Sequence, residues 1–247
     1  MKKLLYIFLF FTQIFWAQNS FEKGNDLYRK GNYSEAVSEY ESVLKTKKHS
    51  AELYFNIGNC YYKLNKVAPA VYNYEKALLL NPKDIETQNN LKFAQKLAID
   101  DFKEVPKVGF RKMLQDLTAT FCYDTWGWIA VGLATVFLLL FIGYYFSRTT
   151  LSKRLFFIGM FVVLFVIIIS VASAIFQKDA YKNDRPAVVF AEVTPMKNEP
   201  KSDAQDAVVL HEGTKVYVLE VLDDWKKIQL PDETEGWVEA SAIKELK

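Results

Sequence analysis

The hydrophobic positions of this chain fall into three continuous blocks, separated by two stretches in which apolar residues recur periodically. The first block, Leu4 to Trp16, follows Met1-Lys2-Lys3 and ends at the small residue Ala17. A positive start, a short apolar core and a small residue have the form of a secretory signal peptide over residues 1–17. Cleavage after Ala17 would leave Gln18 at the new N-terminus. Phe15 three residues before the cut fits cleavage poorly, so an uncleaved anchor stays open. No cysteine follows, so a lipoprotein is not indicated.

The second block runs from about Trp126 to Phe146 and the third from Leu155 to Phe176. Each is near the roughly 20 residues that a helix needs to cross a bilayer, and neither holds a charge. Val162 to Ile169 is apolar all round, which leaves no stripe to face water. Trp126, Trp128, Tyr144 and Tyr145 lie near the ends of the first span, as interfacial aromatics do. The link Ser147 to Arg154 holds Arg148, Lys153 and Arg154 and no acid, which places it in the cytoplasm. Both long polar segments then lie on the extracytoplasmic side, where the signal sequence independently sends the first.

Between the first two blocks the pattern repeats every 34 residues. Gly24-Asn25 recurs as Gly58-Asn59, Ala36 as Ala70, Tyr40 as Tyr74 and Val43 as Ala77. That period marks a repeat built from helix pairs. Ala51 to Leu64 and Val67 to Leu80 form the pair in the second copy, and Asn81-Pro82 closes it. Pro69 falls in the first turn of its helix, where the missing N–H is not needed. Asp84 to about Asp101 is a closing helix, with Leu91, Ala94 and Leu97 spaced for one face. Tyr54, Ile57, Gly58, Tyr61, Ala70, Tyr74, Ala77 and Pro82 resemble the tetratricopeptide repeat, from which the first copy departs at Leu27, Val43 and Lys48. Two units and a cap are fewer than the usual three repeats, so either the domain is marginal or a partner completes it.

In that fold the first helix of each unit lines a concave face. The lining positions are Phe21, Asn25, Tyr28 and Arg29 in one copy and Phe55, Asn59, Tyr62 and Lys63 in the other. Their spacing puts each set on one helix face. Phe21 and Phe55 fit a core position as well as a groove. Asn, Arg and Lys are rarely fully buried, so for them a groove is the better reading. The paired amides and cations suit the backbone or carboxylate of an extended peptide.

After the third block, Gln177 to Arg185 is polar, and from about Pro186 the pattern turns to short strands. Val188-Val189-Phe190 opens it, and Lys215 to Val221 alternates. About 60 residues of short strands suggest a small barrel. His211 to Val216, Trp225-x-x-Ile228 and Gly236-Trp237-Val238 resemble bacterial SH3-like domains, a family of wall-peptide and protein-peptide binders. Tyr217, Trp225 and Trp237 are candidates for a shallow aromatic site, although Trp237 reads first as closing the barrel, since apolar strand residues are core more often than ligand-binding.

The expected fold is therefore multi-domain. It comprises an α-helical repeat domain at 18–105 (units 18–48 and 51–82, closing helix 84–101), a linker at 106–125, spans at 126–146 and 155–176 around a loop at 147–154, a linker at 177–187 and an all-β SH3-like barrel at 188–247.

Lys and Arg number 31 against 29 Asp and Glu, a net charge of +2 without a basic stripe, so nucleic acid is not an expected partner. Cys60 and Cys122 show no metal-ligand spacing with His49 or His211, and no metal or cofactor is expected. A disulfide between them is not expected either. No phosphate-cradling loop, Gly-x-Ser-x-Gly or His-Glu-x-x-His occurs, and the spans hold no ionisable residue. An enzyme is not expected.

The order of signal, two repeat units, basic hairpin and SH3-like domain resembles the BatE family of the Bacteroides aerotolerance operon. The resemblance implies a bacterial inner-membrane protein, with both soluble domains periplasmic, acting as a scaffold linked to aerotolerance or stress. Its implied partners are sister Bat membrane proteins with von Willebrand factor A domains, a MoxR-type ATPase indirectly, and the lipid bilayer. The alternative is a sensor anchored to peptidoglycan through the SH3-like domain, against which the eight-residue link argues, because it leaves no room for a signalling domain.

Overall fold

A computed structural model describes residues 20–103, 105 and 109–247, so the expected signal peptide lies outside the described residues. Helix α1 covers residues 20–29 and is followed by α2 (Tyr33–Lys45), α3 (Ala51–Lys63), α4 (Val67–Leu80) and α5 (Ile85–Gln95). Ser50 caps α3 by accepting from the Leu53 N–H, and Asp84 caps α5 by accepting from the Glu86 N–H and the Thr87 hydroxyl. The closing helix is shorter than expected. Its last turn tightens after Gln95, and Leu97 is exposed instead of sharing the buried face of Leu91 and Ala94.

The 34-residue echo has a direct physical cause. A Cβ on Gly24 would lie 2.5 Å from the Tyr40 ring, and one on Gly58 would lie 2.7 Å from the Tyr74 ring. Both tyrosines are 1% exposed, so neither ring has space to retreat. Gly58→Ala gains about 1 kcal/mol of helix propensity. It also incurs about 1–3 kcal/mol of overpacking. We expect a net loss of up to about 2 kcal/mol, read as a lower melting temperature of the detergent-solubilised full chain by circular dichroism.

Strands β1 (Pro186–Val189), β2 (Val193–Lys197), β3 (Asp206–His211), β4 (Lys215–Leu222), β5 (Trp225–Gln229), β6 (Glu235–Glu239) and β7 (Ile243–Glu245) make one antiparallel sheet in the order β3-β2-β6-β5-β4-β1-β7. The order is open, which corrects the expected closed barrel. Strand β2 meets β6 at a single pair, Lys197 opposite Trp237, and β3 and β7 remain as edges. Inward residues of alternate strands, among them Met196, Leu210, Val216, Val218, Ile228 and Val238, form a core at 0–1% exposure.

Among the described residues, the repeat helices and this sheet are one compact unit, drawn from residues 20 to 105 and Arg185–Lys247, rather than two separate modules. Strand β1 is buried along its whole length: Ala187 and Val189 face the sheet core, whereas Val188 joins Val67, Val71, Tyr72, Leu91 and Leu246 in a helix-sheet core. A strand covered on both faces reads as a continuous apolar run instead of alternating. The sheet thus covers one face of α4 and α5.

The second compact unit is Pro106–Asp184. It contains α6 (Phe110–Thr118), α7 (Tyr123–Phe146) and α8 (Thr150–Asn183). The connection after α7 is only Ser147–Thr149, and Thr149 caps α8 by accepting from the Ser152 N–H. Helix α8 continues seven residues beyond the apolar block, through the stretch that reads as a polar linker. Both α7 and α8 are long and apolar enough to cross a membrane, and only 6% and 11% of their apolar windows are buried. Between the two helices, glycines receive large side chains from the facing helix: Gly143 lies against Phe156 and Gly159 against Leu140, and Met160, Ser170 and Ser173 are buried. Phe141, Phe161, Phe165 and Ile168 point outward, each 49–64% exposed.

Candidate partner-binding site

The helix α1, α3 and α5 surfaces are tied together by two matching sets of polar bonds. The Asn25 Oδ1 accepts from the Tyr40 hydroxyl at 2.6 Å and from the Asn56 amide at 3.2 Å. One unit on, the Asn59 Oδ1 accepts from the Tyr74 hydroxyl at 2.7 Å and from the Asn90 amide at 2.9 Å. Each asparagine therefore satisfies the hydroxyl of a tyrosine whose ring fills the glycine notch, and it bridges to the next unit's first helix. Burial raises the Tyr40 and Tyr74 pKa values above the ordinary value for tyrosine, so both hydroxyls stay protonated donors. Among the described residues, the Asn25 and Asn59 amide nitrogens and the Asn56 and Asn90 amide oxygens keep hydrogen-bonding capacity beyond this ladder.

The sequence reading names Asn25 and Asn59 but misses Asn56 and Asn90. The signal was present: each lies 31 residues after its partner, so the offset occurs twice. The aromatic candidates are half-buried. Phe21 packs on Tyr40 at 5.7 Å between ring centres and Phe55 on Tyr74 at 6.1 Å. Tyr28 packs on Tyr33 at 5.3 Å, and Tyr62 borders the helix-sheet core. Arg29 and Lys63 are exposed, and Arg29 is paired with Asp26. Cys60, beside Asn59, is a packed group. Burial pushes its thiol up to about 12, well above a reactive range.

On the sheet, Trp237 does not sit in the core. Gly236 and Val238 point inward, so strand parity turns Trp237 to the outer face, together with Trp225 and Tyr217. The three are not gathered in one hollow. Trp225 lines a cavity of about 260 Å³ with Val193, Pro195, Lys197 and Glu239, where β2 diverges from β6. Neither Trp237 nor Tyr217 lines it.

No sequence motif marks the helix-sheet junction, most of which the turn between β3 and β4 builds. The Asp100 carboxylate, 8% exposed, accepts from the His211 N–H at 2.7 Å, the Thr214 hydroxyl at 2.6 Å and the His211 Nδ1 at 2.8 Å. Burial alone would raise the Asp100 pKa, but the Thr214 and His211 bonds outweigh it and hold the carboxyl below the usual range. Glu212 offers an acceptor to the Ala68 N–H at 3.5 Å, at the start of α4, whose own cap position lacks one. Gly213 takes a left-handed φ of +87°, and a Cβ there would lie 2.7 Å from Val67. Lys215 pairs with Glu75 at 2.8 Å. Near the end of the sheet, Glu245 is held by Arg185 and Lys226; burial opposes its ionisation, yet the two cations keep its pKa low. No group of residues that could hold a metal ion occurs among the described residues.

Residues 24–65 match the family model for the TPR repeat and residues 51–84 that for the tetratricopeptide repeat. Among known proteins, the chain is similar to sperm-associated antigen 1 of Rattus norvegicus, 35% identical over 75 residues, which are 30% of this chain and 8% of that protein. It is similar also to Hsp70-Hsp90 organizing protein 1 of Glycine max, 33% identical over 66 residues, or 27% of this chain and 12% of that protein. A third similarity is to tetratricopeptide repeat protein 16 of Homo sapiens, 37% identical over 57 residues, or 23% of this chain and 6% of that protein. The chain thus spans a small fraction of the length of these relatives, and the family models match within the repeat helices. Tetratricopeptide repeats support a role in protein-protein interaction.

Proposed function

We propose that this chain is a non-enzymatic membrane-anchored adaptor that takes an extended segment of a protein partner on the repeat face. The observation that carries the reading is the doubled asparagine ladder. Each pair presents one amide donor and one acceptor, the complement of a peptide group, and the pair recurs one unit on. The half-buried aromatics beside it supply apolar contact. The hairpin of α7 and α8 is the anchor, supported by large apolar residues outside and by close approach at Gly143 and Gly159. A two-span hairpin returns the chain to the side it left, which agrees with repeat helices and sheet sharing one unit. The basic link Ser147 to Arg154 favours the periplasmic side for that unit, at a bacterial inner membrane. The architecture and the strand motifs around Gly213 and Trp237 support the SH3-like and BatE-like readings. The partners would then be sister Bat proteins, in an envelope complex linked to aerotolerance or stress.

The test is recovery of partners from mild detergent. Asn25→Ala with Asn59→Ala also removes the acceptors of two buried hydroxyls, so a lost partner alone would be ambiguous. Tyr40→Phe with Tyr74→Phe breaks the same bonds without touching the amides. We expect the asparagine pair to lose co-purifying membrane proteins and the phenylalanine pair to retain them. Retention by both would move the groove elsewhere. The second reading, a peptidoglycan-anchored sensor, is favoured by the outward Trp225 and its cavity. Recovery of wall fragments alone, dependent on the sheet, would select it.

A further inference from the structure

Helix α6 is amphipathic, and its apolar stripe is split between two directions. Met113 and Leu117, one turn apart, are 52% and 62% exposed, and Phe121, in the bend just after the helix, is 44% exposed. Leu114 and Thr118, on the adjoining face, are half-buried toward the hairpin. Lys112 and Asp116 occupy the opposite side and pair with each other at 2.5 Å. The end of α6 is fixed from both long helices. The Thr118 carbonyl accepts from the Trp126 indole N–H of α7 at 2.8 Å, and its hydroxyl accepts from the Gln177 amide of α8 at 2.7 Å.

Those two anchors mark a boundary. Gln177 is the first polar residue after the apolar run ending Ile175-Phe176, and Trp126 opens the apolar run of α7. Trp128, Phe121, Tyr123 and Tyr181 gather near it, with Phe121 edge-on to Trp126 at 5.4 Å and Tyr123 5.8 Å from Tyr181. We infer that α6 lies in the plane of the bilayer surface as an interfacial helix. Its Met113-Leu117 stripe, with Phe121 just beyond its end, enters the acyl boundary, and its Lys112-Asp116 face stays among headgroups and water. The occupant is lipid because α6 is clamped at the polar–apolar boundary of α7 and α8, whose large apolar side chains are exposed. Nine residues hold too little apolar surface to bind a membrane alone, but covalent attachment to the hairpin supplies a high effective concentration. Clamped to both helices, α6 fixes the depth at which the hairpin sits. This inference rests on the reading that α7 and α8 cross a membrane.

The experiment uses the full chain in phosphatidylcholine-phosphatidylglycerol vesicles, with Cys122→Ser removing the exposed thiol and buried Cys60 left in place. An environment-sensitive fluorophore is attached singly at Leu117→Cys, Gln115→Cys or Leu164→Cys. We expect the 117 probe to be blue-shifted and quenched more by a spin label near the headgroup than by one at the acyl midpoint. The 164 probe should show the reverse preference, and the 115 probe should read as aqueous. A deep 164 probe with an aqueous 117 probe overturns the interfacial helix and leaves the hairpin standing. A 117 probe shielded from water yet insensitive to both spin labels overturns it in favour of a protein contact. An aqueous 164 probe overturns the crossing, and this inference with it.

Discussion

Deleting residues 185–247 is expected to cost the repeat helices their cooperative fold. Val188 and Leu246, at 0% and 1% exposure, complete the core formed by Val67, Val71, Tyr72 and Leu91. Their burial alone contributes about 3–6 kcal/mol, at about 1.5–3 per fully buried side chain. The deletion also removes the Lys215–Glu75 ion pair that ties α4 to the sheet. A domain of this size has about 5–15 kcal/mol in total. Two units with a single closing helix have no repeat to spare. Amide hydrogen exchange is the measurement. Protection in α4 and α5 should fall by several orders of magnitude in the truncated chain, and more there than in α1 and α2. A segment ending at Val105 that melts as cooperatively as the full chain would disprove the dependence.

Asp100→Ala is expected to loosen the same junction from the other side. The carboxylate is the shared acceptor of three groups on the β3–β4 turn, and it leaves the His211 N–H without a partner when removed. Hydrogen bonds to a charged group contribute about 1.5–3 kcal/mol each. Because the three act as one cluster, we expect a loss of about 2–4 kcal/mol instead of their sum. The pH dependence follows from the lowered carboxyl. The unfolded chain takes up the proton first, near the ordinary value of 3.8, so the contribution is whole above that pH and disappears as pH falls through the folded value. The difference in melting temperature between the wild-type chain and Asp100→Asn should therefore hold steady at neutral pH and shrink below about pH 4. A difference that grows in acid would contradict the assignment. Glu245 titrates in the same window in both proteins and cancels from the comparison.

What the sequence made legible was local. Gly24 and Gly58, with Tyr40 and Tyr74, recur at a fixed interval because each unit solves the same close approach, and such a solution leaves a period to read. The two apolar helices were legible for the same reason. The junction was not, because its contacts span 111 to 173 residues and impose no rhythm on either partner. The one clue was the unbroken Ala187-Val188-Val189-Phe190, a strand too apolar to have a wet face. The closed barrel was inferred from strand number, whereas closure depends on register, and β2 leaves β6 after one pair. Trp237 was placed by residue type where parity with Gly236 and Val238 decides. The asparagines were recognised as polar groups on a helix face, but their bonds to buried tyrosines depend on side-chain positions that no pattern specifies.

The order in which the chain is made gives the split unit a further meaning. Val188 and Leu246, which complete the core around Val67, Tyr72 and Leu91, leave the ribosome only after α6, α7 and α8. At about 5–20 residues per second, the helices wait several seconds or longer for their sheet. During that interval the nascent protein presents a bare apolar face that a chaperone or protease can recognise. A chain stalled or misdirected at the hairpin never covers it. The helix-sheet core therefore closes only when both halves of the chain have been made and meet.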